Sequence, residues 1–97
     1  MAVPRDLSTV RDEIDRIDRE LVKLLAQRGK CVSEVMEFKM RASEVVVPQR
    51  VNDVMANVTS AAALYQMDTD FVAEVFDVII KYFTGYQIAE FVRRSRS

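Results

Sequence analysis

The sequence contains no histidine and no tryptophan, one cysteine, two glycines and two prolines in 97 residues. Each shortage excludes something. Without histidine there is no imidazole base, no imidazole metal ligand and no Ser-His or Cys-His device. Cys31, standing alone, forms neither an internal disulfide nor a thiolate metal cluster, and it points to a reducing, cytosolic compartment. So few glycines and prolines leave a β-rich fold short of turns, which favours helices. No apolar run approaches the ~18 residues that span a bilayer. The opening MAVPRDLSTV carries no apolar signal-peptide core. The expectation is a cytoplasmic chain with no membrane partner. Basic and acidic side chains number 14 and 15, for a net charge of −1. No strong field draws nucleic acid or anionic lipid. A catalyst built from these residues works with fixed cations, amides and shape.

What is present is ordinary globular composition, 49% hydrophobic and 30% charged, outside the disordered range. The length predicts a single domain over residues 1–97. Such a chain buries only about 60–65% of its unfolded surface, so a partner chain would help it. Leu7, Val10, Ile14, Ile17, Leu21, Leu24, Arg28, Cys31, Val35 and Phe38 recur three and four apart, a heptad-like seam on one long helix. Asp6 or Ser8 can cap its start. A helix from about residue 6 to 41 would be roughly 50 Å long, too long for a compact chain with a radius of gyration near ~13 Å. The surplus needs something to pack against, and a second copy is the simplest candidate. Cys31, on that seam, reads as a small packing residue.

Ala42–Gln49 reads as a connector. Its run Val45-Val46-Val47 before Pro48 disfavours helix and predicts a loop over the core, and Pro48 suits the first turn of a new helix. A second helix is predicted from Pro48 to about Tyr65, with Val51, Val54 and Val58 on one side. Gln66-Met67-Asp68 is a turn, and Asp68 can cap the third helix, predicted from Phe71 to about Arg93. Val72, Phe76, Ile80, Phe83, Gln87 and Phe91 form its apolar stripe. The basic run Arg93-Arg94-Ser95-Arg96 suits a helix C-terminus and reads as a solvated end. Gly29 and Gly85 each cost a helix roughly 1 kcal/mol, and close packing is one reason to keep them.

The informative residues break the apolar pattern. Arg28 sits on the seam, and Gln87 on the stripe of the third helix. Burying either without a partner costs several kcal/mol, so a protein group or a ligand must satisfy it. Lys39 lies eleven residues after Arg28, three turns plus only ~20° on, with its Cα ~16 Å away. An anion with two charged ends would fit between them, with Val32 and Val35 as an apolar floor. Arg11 is seventeen residues before Arg28, ~25 Å along the axis and about 100° round, so it cannot reach the same small ligand from its own straight helix. It could from a second chain packed antiparallel about a two-fold axis near residue 22. Arg50, at the start of the second helix, is a fourth cation. The plainer readings are an interchain ion pair for Arg28, solvated charges for Arg11, Lys39 and Arg50, and a backbone hydrogen bond for Gln87.

The run LSTVRDEIDRIDRELVKLLAQR, followed by EFK, PQRV and IIKYFTGYQ, resembles the all-helical chorismate mutase family from about Leu7 to Phe91. The order and spacing of Arg11, Arg28, Lys39, Arg50 and Gln87 are its most specific part. The resemblance implies an all-α fold of three helices with a long first helix, entwined as a homodimer. Each of two equal sites would take Arg11 from the partner. It implies a small dicarboxylate substrate, chorismate, rearranged to prephenate by a pericyclic Claisen reaction for aromatic amino acid synthesis, with no metal and no cofactor. Arg11, Arg28 and Arg50 would hold carboxylates. Lys39 and Gln87 would be the catalytic donors to the ether oxygen.

Three positions depart from the usual family pattern. Val51 stands where a glutamate often contacts the ring hydroxyl, Val47 where an acidic residue is common, and Phe83 where a serine touches a carboxylate. The connector and the PQRV segment look closer to the isochorismate-pyruvate lyases, which share the fold and the cations and release pyruvate to give salicylate. A 4-amino-4-deoxychorismate mutase is disfavoured, because a cationic amine would want the missing carboxylates. The alternative outside enzymes is a helical dimerisation module in which Arg28 is merely a pairing residue.

Overall fold

A computed structural model describes residues 5–38, 41 and 44–96. Every regular element among them is helical. The order is α1 (Leu7–Val35), a 3₁₀ turn (Met36–Phe38), α2 (Pro48–Leu64) and α3 (Thr69–Ser95). The chain divides into two compact units, Met1–Cys31 and Val32–Ser97.

The first unit is most of α1. Its start is capped by Asp6, whose Oδ1 accepts the Thr9 backbone N–H at 2.7 Å and whose carbonyl accepts that of Val10 at 3.1 Å. That bond to the ionised form holds the Asp6 carboxyl below its ordinary range. Ser8, the alternative cap, lies inside the helix. The α-helix is shorter than the predicted span and ends at Val35. Its 29 residues make it about 43 Å long. The next three residues wind at ~3.0 per turn, which breaks the phase of the seam. Met36, absent from the predicted seam, is therefore the buried residue at 2% exposure, while Phe38 is 79% exposed. No residue of α1 is buried. Leu7, Ile14, Ile17, Leu21 and Leu24 are exposed in the single chain, and so is Cys31 on the same seam.

The second unit is a helical hairpin. Pro48 opens α2 behind an extended Val47, where its missing N–H leaves no bond unmade. The four residues Tyr65–Asp68 then turn the chain back, and α3 packs along α2. The turn closes by two bonds, Met67 N–H to the Ala62 carbonyl at 2.8 Å and Gln66 N–H to that of Ala63 at 3.2 Å. This is the Schellman arrangement, and it puts Gln66 at φ 58°. A side chain in that left-handed conformation costs about 1 kcal/mol that glycine avoids. Gln66→Gly is therefore expected to raise the unfolding free energy by roughly 0.5–1 kcal/mol, read from the urea midpoint at unchanged slope. An unchanged or lowered midpoint would show that the turn carries no such strain.

Asp68 caps α3 as predicted, its Oδ1 accepting the N–H groups of Asp70 at 2.9 Å and Phe71 at 3.1 Å. The helix starts two residues earlier than its first apolar residue because the cap sets its boundary. The predicted stripe is real: Val72, Phe76, Ile80, Gln87 and Phe91 are half-buried and Phe83 is buried. Val78 and Tyr82, outside it, are exposed. Met36, Val45, Ala62 and Phe83 form the core of this unit. Of the connector valines only Val45 lies over that core, while Val46 and Val47 are exposed. Among the described residues nothing lies within 4 Å of where a Cβ on Gly85 would sit, so their packing does not require that glycine.

Candidate functional site

The hairpin gathers one group of the predicted residues. Arg50 and Val51 lie in the first turn of α2, where the Arg50 N–H donates to the Val47 carbonyl at 2.9 Å. Phe83 and Gln87 lie one turn apart late in α3. In a hairpin closed at residues 65–68, position 50 comes level with position 83, and Gln87 lies ~6 Å beyond. Arg50, Val51, Phe83 and Gln87 thus share the end of the hairpin remote from its turn. Arg50 is exposed and has no ion pair among the described residues. Val51 and Gln87 are half-buried. Phe83 is buried and packs edge-on to Tyr82, with ring centroids 5.1 Å apart. A cation with no ion pair among the described residues, an amide and two apolar side chains at one level of the hairpin suit a carboxylate joined to an apolar body.

The remaining predicted residues lie elsewhere. Val32 and Val35, at the end of α1, open the second unit, Val32 half-buried and Val35 exposed. Arg11 and Arg28 belong to the first unit. Arg11 is exposed and makes no salt bridge among the described residues. Arg28 is half-buried and its Nη1 is withdrawn from solvent, an unusual position for a guanidinium on a helix with no buried residue. Lys39 lies outside the described residues, as do Ala42 and Ser43 of the connector.

A group that the sequence reading passed over stands one turn beyond Gln87. Glu90, with its side chain 15% exposed, accepts Arg93 Nε at 3.1 Å and Arg94 Nε at 3.0 Å, and Arg93 Nη2 as well. The two guanidinium groups hold its carboxyl down at about 2. Because the folded value is the lower one, any stability this contributes is present above the ordinary carboxylate range and is lost only as pH falls towards 2. The tail expected as a solvated end is exposed from Arg93 to Arg96, with Arg93 and Arg94 held against Glu90. The spacing E-x-x-R-R was the available signal, since residues three and four apart on a helix are neighbours.

Residues 10–88 match the family described as chorismate mutase type II. Among curated proteins, the isochorismate pyruvate lyase of Pseudomonas aeruginosa is 31% identical over 91 residues, covering 91% of this chain and 90% of that protein. A bifunctional chorismate mutase/prephenate dehydratase of Buchnera aphidicola is 28% identical over 84% of this chain, and the T-protein of Enterobacter agglomerans is 31% identical over 78%. The chain spans only 21% of the length of each of these last two.

Proposed function

This chain belongs to the chorismate mutase type II family, and on that premise we propose that it is a chorismate mutase, an isomerase that converts chorismate to prephenate. It works as one domain and as an intertwined homodimer in the cytoplasm, serving aromatic amino acid synthesis. The observation that carries the reading is the polar set itself. Arg11, Arg28, Lys39, Arg50 and Gln87 all fall within the matched residues, in a chain without a histidine. The exposed seam of α1 supports the dimer, because a second copy packed antiparallel would cover it and carry Arg11 to the partner's site.

The chemistry asks for two things. The enolpyruvyl ether must fold over the ring, and Arg11 of the second copy, Arg28 and Arg50 would fix the two carboxylates in that pose. Val32, Val35, Val51 and Phe83 would form its apolar walls. The breaking C–O bond then leaves negative charge on the ether oxygen, to which Lys39 and Gln87 would donate hydrogen bonds as it grows. A million-fold acceleration needs about 8 kcal/mol. One donor aimed at developing charge supplies about 3–4 kcal/mol, so two donors and the restricted conformation are enough. No proton changes hands, which suits a chain lacking an imidazole.

A second reading has its own support. The Pseudomonas relative named a lyase matches nearly end to end, and Val47 and Val51 stand where mutases often carry carboxylates. On that reading the same cations would hold isochorismate while pyruvate leaves. Supplying each substrate separately decides it. Prephenate from chorismate is expected at a much higher kcat/KM than salicylate from isochorismate, and the opposite order would transfer the assignment to the lyase. Consumption of neither would leave the dimerisation module.

A further inference from the structure

Chorismate has one polar group that the cations and the amide leave unmatched. Arginines are assigned to its carboxylates, and Lys39 and Gln87 to its ether oxygen, so its ring hydroxyl enters the site without a partner. Burying a hydroxyl in that state is unfavourable. A second hydroxyl is a fit partner, since each can donate to or accept from the other.

The third helix carries such a group beside Gln87. Thr84 precedes Gln87 by three residues, ~60° round and ~4.5 Å along the axis, so the two are neighbours on the helix surface. Being next to Phe83, it lies at the end of the hairpin that holds Arg50 and Val51. It is half-buried, on the flank of the apolar stripe, with Ile80 one turn before it half-buried and Ile88 one turn after it exposed. Tyr82 and Tyr86 are exposed, as are Thr69 and Ser95, which leaves Thr84 as the half-buried hydroxyl residue of α3. Its hydroxyl is also uncommitted. A threonine or serine inside a helix can donate back to the carbonyl three or four residues earlier. Thr59 does so, to Met55 at 2.8 Å and Ala56 at 3.2 Å, and Ser95 does so, to Phe91 at 2.8 Å. Neither Thr84 nor Gln87 makes a side-chain hydrogen bond among the described residues. A β-branched residue on a helix flank needs no ligand to explain its shape. Valine, however, would fill the same space without leaving a half-buried hydroxyl unpaired.

We propose that Thr84 is a specificity-determining residue whose hydroxyl pairs with the ring hydroxyl of the substrate while Gln87, on the next turn, serves the ether oxygen. Chorismate and isochorismate differ in where the ring carries that hydroxyl. A fixed partner for it therefore matches one isomer and leaves the hydroxyl of the other unpaired. Val47 and Val51, at the same end of the hairpin, can supply no such bond. The inference rests on the proposed function, in that the substrate is one of these two isomers and Gln87 belongs to its site.

The experiment measures, for the full chain and its variants, kcat/KM on the isomer that the wild type prefers and the inhibition constant of the other isomer as a competitor. Thr84→Val keeps the shape and removes the hydroxyl. It is expected to lower kcat/KM about ten-fold, ~1.4 kcal/mol and the size of one hydrogen bond, with the competitor's constant within about two-fold and the urea midpoint not lowered. Thr84→Ser keeps the hydroxyl and is expected to stay within about three-fold of the wild type. A residue that only packs predicts the opposite order, with Thr84→Val like the wild type and Thr84→Ser the weaker variant. An unchanged kcat/KM in Thr84→Val, or equal losses towards both isomers, would overturn the proposal. Where the second isomer binds too weakly to compete, the gap between Thr84→Val and Thr84→Ser decides alone. If Thr84→Val does not fold, Thr84→Ser and Thr84→Ala, which differ only in the hydroxyl, give the same comparison, and about the same ten-fold gap is expected between them. A wild-type chain that consumes neither isomer fails earlier and differently, since it removes the substrate rather than the contact.

Discussion

Chains carrying Arg11→Ala and chains carrying Arg28→Ala, each expected to lose about 10²-fold in kcat/KM alone, should regain about a quarter of wild-type activity when refolded together. The reasoning is geometric. On the proposed dimer each site takes Arg28 from one chain and Arg11 from the other. A mixed dimer then has one site with both arginines intact and one with neither. Random pairing makes half of the dimers mixed, and one of their two sites works. If Arg11 served its own chain, every site in the mixture would lack one arginine and nothing would be regained. The test reports on the seam as well as on the site. Leu7, Ile14, Ile17, Leu21 and Leu24 lie exposed along α1, and burying a side chain of that size is worth about 1.5–3 kcal/mol. Sedimentation should find each variant dimeric, because neither arginine carries the apolar contact. A monomeric wild type would remove both the trans arrangement and the account of the seam.

The parts of this fold legible in the sequence were those dictated by local chemistry. Asp68 and Pro48 marked helix starts because a cap and an imino acid act within one turn. The six-residue stripe of α3 was readable because its period matches the helix, and Gln87 stood out by interrupting it. What was misread needed tertiary context. The α-helical winding stops at Val35 rather than near residue 41, and Met36 enters the core in place of its seam neighbours, because a tighter turn shifts the phase of the side chains. No local signal shows where that shift occurs. Cys31 was assigned to packing on a seam that a second copy would cover, and in the single chain it is exposed along with most of that seam. The site was legible as a set of polar residues out of place. The hairpin brings Arg50, Val51, Phe83 and Gln87 to one end, whereas Arg11 and Arg28 lie in the other unit. Glu90 was overlooked because attention to apolar positions passes over a charged residue that half-buries itself among arginines.

The strongest demand falls on Gln87. Replacing it by alanine removes one donor from the developing oxyanion and is expected to lower kcat about 10²–10³-fold with the dimer intact. A change smaller than ten-fold would take the ether oxygen out of its reach. Gln87→Glu is the sharper variant, because it keeps the size and makes the donor titratable. A protonated carboxyl can still donate; an ionised one places negative charge against negative charge. Its active fraction falls about ten-fold for each pH unit above the carboxyl pKa, which is near 4.3 for an unperturbed glutamate. Activity of this variant should therefore climb as pH falls from 8 towards 5. The wild type should stay nearly flat from about pH 6 to 9, since the residues assigned to the site are arginines, a lysine and an amide, none of a type that ordinarily titrates within that window. Arg93 and Arg94 keep Glu90 ionised throughout it, so that acid adds no titration of its own. Undiminished activity of Gln87→Glu at pH 8 would mean that no hydrogen bond from this position accompanies bond breaking. The half-buried amide of α3 would then be explained by the backbone, and the whole electrostatic task would fall to Lys39.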